Sequence, residues 1–284
     1  MSHSFWSLAF NRLKCKGKIS MERVEEKEAI VLEVEGYKLF GVLHLPLQEE
    51  KVPGVLMCHG LAGNKIGRFR TAVTLAKELA KRGIASLRID FRGCGDSDGD
   101  FCEASVKGLL KDACTSLSYL QKHVRIDPYR LGVLGRSFGA AIALMAAHSH
   151  KNIKSLALWA PLYNTEQWQE AWRIFHDVHT PAKVREQLLS IEGQQGSPIF
   201  FEEFFNVNLA STLEALADVP LLHIHGLKDS VVKIDHASLY ENKRSTARAT
   251  SKFIKIPEGD HHFTRKNDQE SVIAETVNWF KATL

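Results

Sequence analysis

The stretch Leu131-Gly132-Val133-Leu134-Gly135-Arg136-Ser137-Phe138-Gly139, continued by the small-residue run Ala140 to Ala147, decides the fold. Leu131, Val133 and Leu134 suit a buried strand, the alanine-rich run suits a helix, and the pentapeptide Gly135 to Gly139 joins them. This G-x-S-x-G pattern places Ser137 at the apex of a sharp strand-to-helix turn. Its glycines relieve the crowding that such a turn creates, and the new helix N-terminus offers backbone N–H groups to a developing negative charge.

On either side of this turn the chain alternates apolar strands with amphipathic helices. Ala29 to Val34 and Tyr37 to Leu45, separated by Glu35-Gly36, read as an antiparallel hairpin at a sheet edge. Strands follow at Val55 to Cys58, Ile84 to Ile89, Ser155 to Trp159, Leu221 to His225 and Phe253 to Ile256. Helices are expected near Phe69 to Lys81, Val106 to Gln121 and Glu270 to Phe280, with another beginning at Val231. Repeated strand–helix units with continuous apolar strands imply a mostly parallel sheet of eight strands covered by helices on both faces. Between 162 and 217 the rhythm breaks, so this segment reads as a lid or cap inserted into a core formed by 26–161 and 218–284.

The first 25 residues read as an appended extension, with Phe5, Trp6 and Phe10 mixed among Arg12, Lys14, Lys16 and Lys18. Their positive charge follows a short apolar run, which is the wrong order for a signal peptide. The net charge of +4 is mild and scattered, so no nucleic-acid partner is indicated. No apolar run is long enough to span a bilayer, and the five cysteines form no C-x-x-C pair. These features fit a cytoplasmic enzyme with reduced thiols, and leave the oligomeric state open, a homodimer included.

A serine nucleophile needs a histidine base, itself oriented by a carboxylate, at the same sheet edge. Two loops follow the last two strands: His225-Gly226-Leu227-Lys228-Asp229 and Glu258-Gly259-Asp260-His261-His262-Phe263. They supply two acids, Asp229 and Asp260, and two neighbouring histidines. Asp229 could alternatively stabilise a turn. The trio His59, His225 and His261 lacks metal-ligand spacing, so no metal and no cofactor are expected.

Together with His59-Gly60-Leu61-Ala62-Gly63-Asn64-Lys65 and Asp90-Phe91-Arg92-Gly93-Cys94-Gly95-Asp96-Ser97-Asp98-Gly99, these motifs resemble the α/β-hydrolase fold of serine esterases. The chain is similar to the bacterial cinnamoyl and feruloyl esterase branch, with the motifs in register over 28–284. The resemblance implies a triad in the chain order Ser137, Asp229, His261. It selects His261 over His262 and leaves Asp260 a structural role. It also implies an oxyanion hole from the backbone N–H groups of Leu61 and Phe138. Two positions depart from the family: Cys94 and Arg136 stand where histidine is frequent, and neither belongs to the triad.

The inserted segment is rich in aromatics, and Tyr163, Trp168, Trp172 and Phe204 are candidates for an apolar substrate pocket. Helical spacing allows the alternative that Trp168, Trp172 and Phe175 simply pack the segment onto the core. The expected activity is hydrolysis of short-to-medium acyl or aryl carboxylic esters, as small-molecule substrates, through an acyl-enzyme. The alternatives are an acyl-thioesterase or small peptidase using the same triad, and a non-catalytic binding protein.

Overall fold

The computed structural model describes residues 23–284. The amphipathic stretch Phe5 to Lys18 therefore lies outside the described residues. The chain opens with β1 (Glu25–Val34) and β2 (Tyr37–Pro46), then β3 (Val52–Cys58), α1 (Thr71–Ala80), β4 (Ala85–Ile89), α2 (Val106–Lys122) and β5 (Ile126–Arg136). It continues through α3 (Phe138–His150) and β6 (Ile153–Trp159). The insertion holds α4 (Gln169–His176), α5 (Ala182–Leu188), β7 (Ser190–Ile191), β8 (Gln194–Gln195), α6 (Pro198–Phe205) and α7 (Ala210–Ala215). The core resumes with β9 (Leu221–Gly226), α8 (Asp235–Arg244), β10 (Ser251–Ile256) and α9 (Lys266–Thr283).

Eight strands form one sheet in the order β1-β2-β4-β3-β5-β6-β9-β10, and β7 and β8 make a separate two-stranded ribbon. β1 and β2 pair as the expected hairpin, β2 meets β4 antiparallel, and the other six strands run parallel. This is the α/β-hydrolase architecture anticipated from the motifs. Side-chain alternation along the buried strands sends Leu56 and Val133 into one apolar cluster and Val55, Met57 and Leu134 into another. Leu117 of α2, Ile142 of α3 and Tyr240 of α8 fill the first cluster, while Leu75 of α1 and Phe280 of α9 fill the second.

Strand order places the functional region. From β3 the chain moves outward to β4, then returns across β3 to β5, so the winding direction reverses between β3 and β5. Ligands of open parallel sheets bind where strand C-terminal ends release their loops on either side of such a reversal. His59 to Leu61 leave β3 there, and Ser137 leaves β5.

Two boundaries differ from the sequence expectation. The core begins within the 1–25 segment, because Glu25 already lies in β1 and its carboxylate accepts from His44 Nδ1 at 2.6 Å. α8 starts at Asp235 and not at Val231, because Asp229 Oδ1 accepts the N–H groups of both Val231 and Val232 at 2.8 Å and holds them in a turn. The β7–β8 ribbon had no signature in the sequence. Among the described residues, no helix is long and apolar enough to cross a membrane.

Several histidines are locked into this fold as neutral rings. His44 Nε2 accepts from Arg88 Nε at 3.1 Å, His59 Nε2 from the Phe91 N–H at 3.0 Å, and His236 Nδ1 from the Tyr163 N–H at 3.0 Å. A protonated ring cannot accept, so each of these bonds requires the neutral form. Burial lowers His44 and His236 to about 4 and also lowers His59. Unfolded histidines take up protons near 6.5. Below that pH the unfolded chain therefore binds more protons than the folded one, and stability drains away between about 6.5 and about 4. Thermal melts at pH 7.5 and pH 5 should show the acid midpoint lower by about 5 °C or more. An unchanged or higher midpoint would contradict this reading.

Candidate active site

The turn between β5 and α3 carries Ser137 at φ 53°, ψ −126°, a backbone conformation that side-chain-bearing residues seldom adopt. Such strain costs on the order of 1–3 kcal/mol and persists where the surroundings enforce it. Here the enforcement is steric. A Cβ on Gly139 would stand 2.0 Å from the His59 carbonyl oxygen, and one on Gly135 would stand 2.4 Å from Ala140 Cα. The start of α3 thus lies directly against the chain leaving β3. The Ser137 N–H donates to the Trp159 carbonyl at 2.8 Å, tying the turn to β6.

Three side chains from three loops converge at this turn. Ser137 Oγ lies 3.0 Å from His261 Nε2, and His261 Nδ1 donates to Asp229 Oδ2 at 2.7 Å. The loops carrying acid and histidine are themselves joined, since the Lys228 N–H donates to the Gly259 carbonyl at 2.9 Å. The two oxygens of Asp229 have different partners: Oδ1 accepts from the turn N–H groups and Oδ2 from His261 Nδ1. Burial pushes its carboxyl up, but hydrogen bonds from His225 and His261 outweigh this and hold it well below the usual carboxylate range. It is an anion throughout the neutral range.

The neighbours of this trio have distinct roles. Asp260 Oδ1 accepts from the N–H groups of His262 at 3.1 Å and Thr264 at 2.9 Å, so it shapes the histidine loop. His262 Nδ1 accepts from the Arg136 guanidinium, so His262 pairs with Arg136 and not with Ser137. His59, His225 and His261 do not converge on one point as metal ligands would. His59 Nδ1 lies 2.8 Å from the Gly60 carbonyl, and His225 Nε2 donates to the Val232 carbonyl at 2.9 Å.

Gly60 abuts Ser137, since a Cβ there would lie 3.3 Å from Ser137 Cβ. The next N–H, that of Leu61, has no acceptor among the described residues. The Phe138 N–H opens α3 and has no intrahelical partner either. Both residues line the cavity in front of Ser137. Asp90 anchors the loop after β3 by accepting from the Lys65 N–H and ammonium, and it also accepts from the Asp96 N–H at 2.9 Å. The Asp90-to-Gly99 motif thereby supports the loop that presents Leu61.

The cavity measures about 480 Å³. Of the aromatics proposed to line it, Trp168 and Phe204 do so. Tyr163 and Trp172 do not. Tyr163 packs edge-on against Tyr240, with ring centroids 5.5 Å apart, and fastens the insertion to α8. Trp172 stacks on Phe175 and Phe205 at 5.4 and 4.5 Å, inside the insertion. Phe201, Leu188 and Ile191 complete the apolar wall, and periodicity did not single them out. Phe138 carries Phe200 and Phe204 against its ring at 5.6 and 5.3 Å, so the insertion rests on the residue that follows the serine. Cys94 is buried away from this cavity, and burial pushes its thiol up to about 12.

One residue of the site escaped the sequence reading although it stands in a quoted loop. His225 is fully buried, and its Nε2 lies 3.3 Å from Asp229 Oδ2, beside the oxygen that holds His261. It is a positioning residue for the acid. Removing its donor with His225→Leu should lower kcat about 10-fold, the equivalent of one charge-assisted hydrogen bond, with KM little changed. His225→Gln should restore part of kcat. An unaltered kcat in His225→Leu, or a change confined to KM, would refute the assignment.

Residues 50–197 match the family described as serine aminopeptidase, S33. The chain is 25% identical over 214 residues to the protein YfhR of Salmonella typhi, a match covering 75% of this chain and 65% of that one. The match thus spans less than two thirds of the length of these curated relatives, 65% for the first ones and 40% for others. Among solved structures, Est1E of Butyrivibrio proteoclasticus with ferulic acid bound superposes with a TM-score of 0.72 at 20% identity, covering 88% of this chain and 99% of that one. The Pyrococcus furiosus esterase Pf2001 gives 0.69 at 19% identity, covering 91% of each. The sheet order, the glycine-flanked serine turn and the family match agree: the chain belongs to the α/β-hydrolases, in the family described as serine aminopeptidase, S33.

Proposed function

We propose that the protein is a serine esterase that cleaves carboxylic esters of short-to-medium acyl or aryl acids through an acyl-enzyme. The observation that carries this reading is the relay Ser137 Oγ to His261 Nε2 at 3.0 Å and His261 Nδ1 to Asp229 Oδ2 at 2.7 Å, within hydrogen-bond reach throughout. Ser137 Oγ attacks the ester carbonyl carbon while its proton passes to His261 Nε2. The carbonyl π electrons move onto oxygen, where the Leu61 and Phe138 N–H groups receive the charge. Collapse of this adduct breaks the bond to the leaving alcohol, which takes the proton from His261. Water then repeats the sequence on the acyl-enzyme: its proton goes to His261, the acid departs, and Ser137 recovers its hydrogen. Asp229 keeps the imidazole in the tautomer that can accept and offsets the charge it gains.

The pairing of an apolar wall with this relay favours substrates having a hydrophobic acid or alcohol portion. The family description raises a second reading, removal of N-terminal residues from peptides. A peptide's terminal ammonium needs a carboxylate partner. Lys65, Arg68, Arg88 and Arg136 line the cavity, against Glu192 as its one carboxylate among the described residues, and Glu192 is already paired with Arg68. That charge balance opposes a cationic amine, and ester hydrolysis is the better account.

The test is turnover of 4-nitrophenyl esters of graded acyl length beside matched acyl-CoA thioesters and aminoacyl anilides. Ester hydrolysis should dominate, and Ser137→Ala should lose about 1,000-fold or more in kcat. Turnover confined to thioesters or anilides would overturn the bond assignment, and turnover surviving Ser137→Ala would overturn the nucleophile.

A further inference from the structure

Arg136 stands immediately before the nucleophile, lines the cavity beside it, and is charged without a carboxylate in contact. Its Nη2 donates to the His261 carbonyl at 3.1 Å and to His262 Nδ1. No acceptor is recorded for its Nε or Nη1 among the described residues, and the residue lines the cavity. Glu192, Asp229 and Asp260 are near enough to act on Arg136 through space, but none forms an ion pair with it. Burial lowers the guanidinium to about 10, which leaves it a cation at neutral pH.

The other cations of the wall are already committed. Lys65 is paired with Asp90 and Asp96, and Arg68 with Glu192. Arg88 is almost fully buried, and spends its donors on His44 Nε2 and the Lys65 carbonyl. Arg136, directly before Ser137 in the chain, has no ion-pair partner among the described residues, unlike Lys65 and Arg68. Placing a charged guanidinium in a cavity without a counter-ion is costly, and the cost is offset when an anion arrives there. A guanidinium with a free N–H donor also attracts a carboxylate or phosphate through a charge-assisted hydrogen bond. The same cavity is also lined by the apolar Trp168, Phe201 and Phe204.

We propose that the natural substrate is an amphiphilic ester bearing an anionic group, a carboxylate or a phosphate, which Arg136 binds while the hydrophobic portion lies beneath the insertion. This rests on the esterase reading above and narrows it. Arg136 is then a specificity-determining residue, and its identity at the position before the serine sets the class of ester accepted.

The test compares kcat/KM for matched probes. 4-Nitrophenyl pentanoate is the neutral reference. The 4-nitrophenyl monoester of glutaric acid adds a carboxylate to the acyl end, the 4-nitrophenyl ester of 4-phosphonobutanoic acid adds a phosphonate there, and 3-carboxy-4-nitrophenyl pentanoate places the charge on the leaving group. At least one anionic probe should exceed its neutral counterpart by about 10- to 100-fold, the worth of a charge-assisted hydrogen bond. The ratio should collapse in Arg136→Gln and return in part in Arg136→Lys, whatever either variant does to the overall rate. The better probe identifies the anion and the side of the scissile bond that carries it.

A neutral ester preferred over all three anionic probes, or an anionic preference that survives Arg136→Gln, would overturn the proposal while leaving the esterase reading standing. Failure to turn over any ester would instead count against the esterase reading. In that event calorimetric binding of glutarate and inorganic phosphate to Ser137→Ala decides the anion site directly. Binding of either that is lost in Ser137→Ala/Arg136→Gln supports it, and no binding of either refutes it.

Discussion

The close approach of the chain leaving β3 to the first turn of α3 is the constraint on which the site depends. At Gly139 that approach leaves no room for a side chain, because a Cβ would meet the His59 carbonyl oxygen at 2.0 Å. The same contact brings Gly60 alongside Ser137, so the loop after β3 and the serine turn are positioned together by one steric cause. The strain at Ser137 is borne by a sheet whose central strands are buried on both faces, with Leu56, Val133 and Leu134 sealed from solvent.

Electrostatics divide the molecule in a comparable way. His44, His59 and His236 are kept neutral by accepting an N–H, and two of them thereby support loops: His59 the chain after β4, His236 the entry to the insertion. His261 differs because one ring nitrogen faces a carboxylate and the other a hydroxyl. That arrangement tolerates a proton arriving on Nε2, since Asp229 remains ionised beside Nδ1. The separation of roles comes from partners and not from residue type, for His261 and His262 are chain neighbours with opposite duties.

The fold and the convergence of Ser137, Asp229 and His261 were legible in the sequence because they rest on local rules. A tight strand-to-helix turn demands glycine, a parallel sheet demands continuous apolar strands, and a loop after each strand must deliver its acid or base. The insertion was less legible. Trp168 and Trp172 are one helical turn apart, yet Trp168 reaches the cavity while Trp172 stacks inside the insertion, and only the packing of Phe205 and Phe175 separates them. The same limit applies to His225 and Arg136. Each stood in a recognised motif, but its duty follows from which carbonyl or carboxylate the tertiary structure sets against it. The late start of α8 has the same origin, since the Asp229 carboxylate captures two N–H groups that a helix would otherwise have used.

The central claim is that this geometry makes Ser137 a nucleophile with His261 as its base. A fluorophosphonate label, with mass spectrometry to locate and count the adduct, measures this without knowledge of the substrate. The account predicts one adduct per chain, on Ser137, forming rapidly in the intact protein and not in a folded His261→Ala variant. No adduct at Ser137, or equal labelling with and without His261, would contradict it.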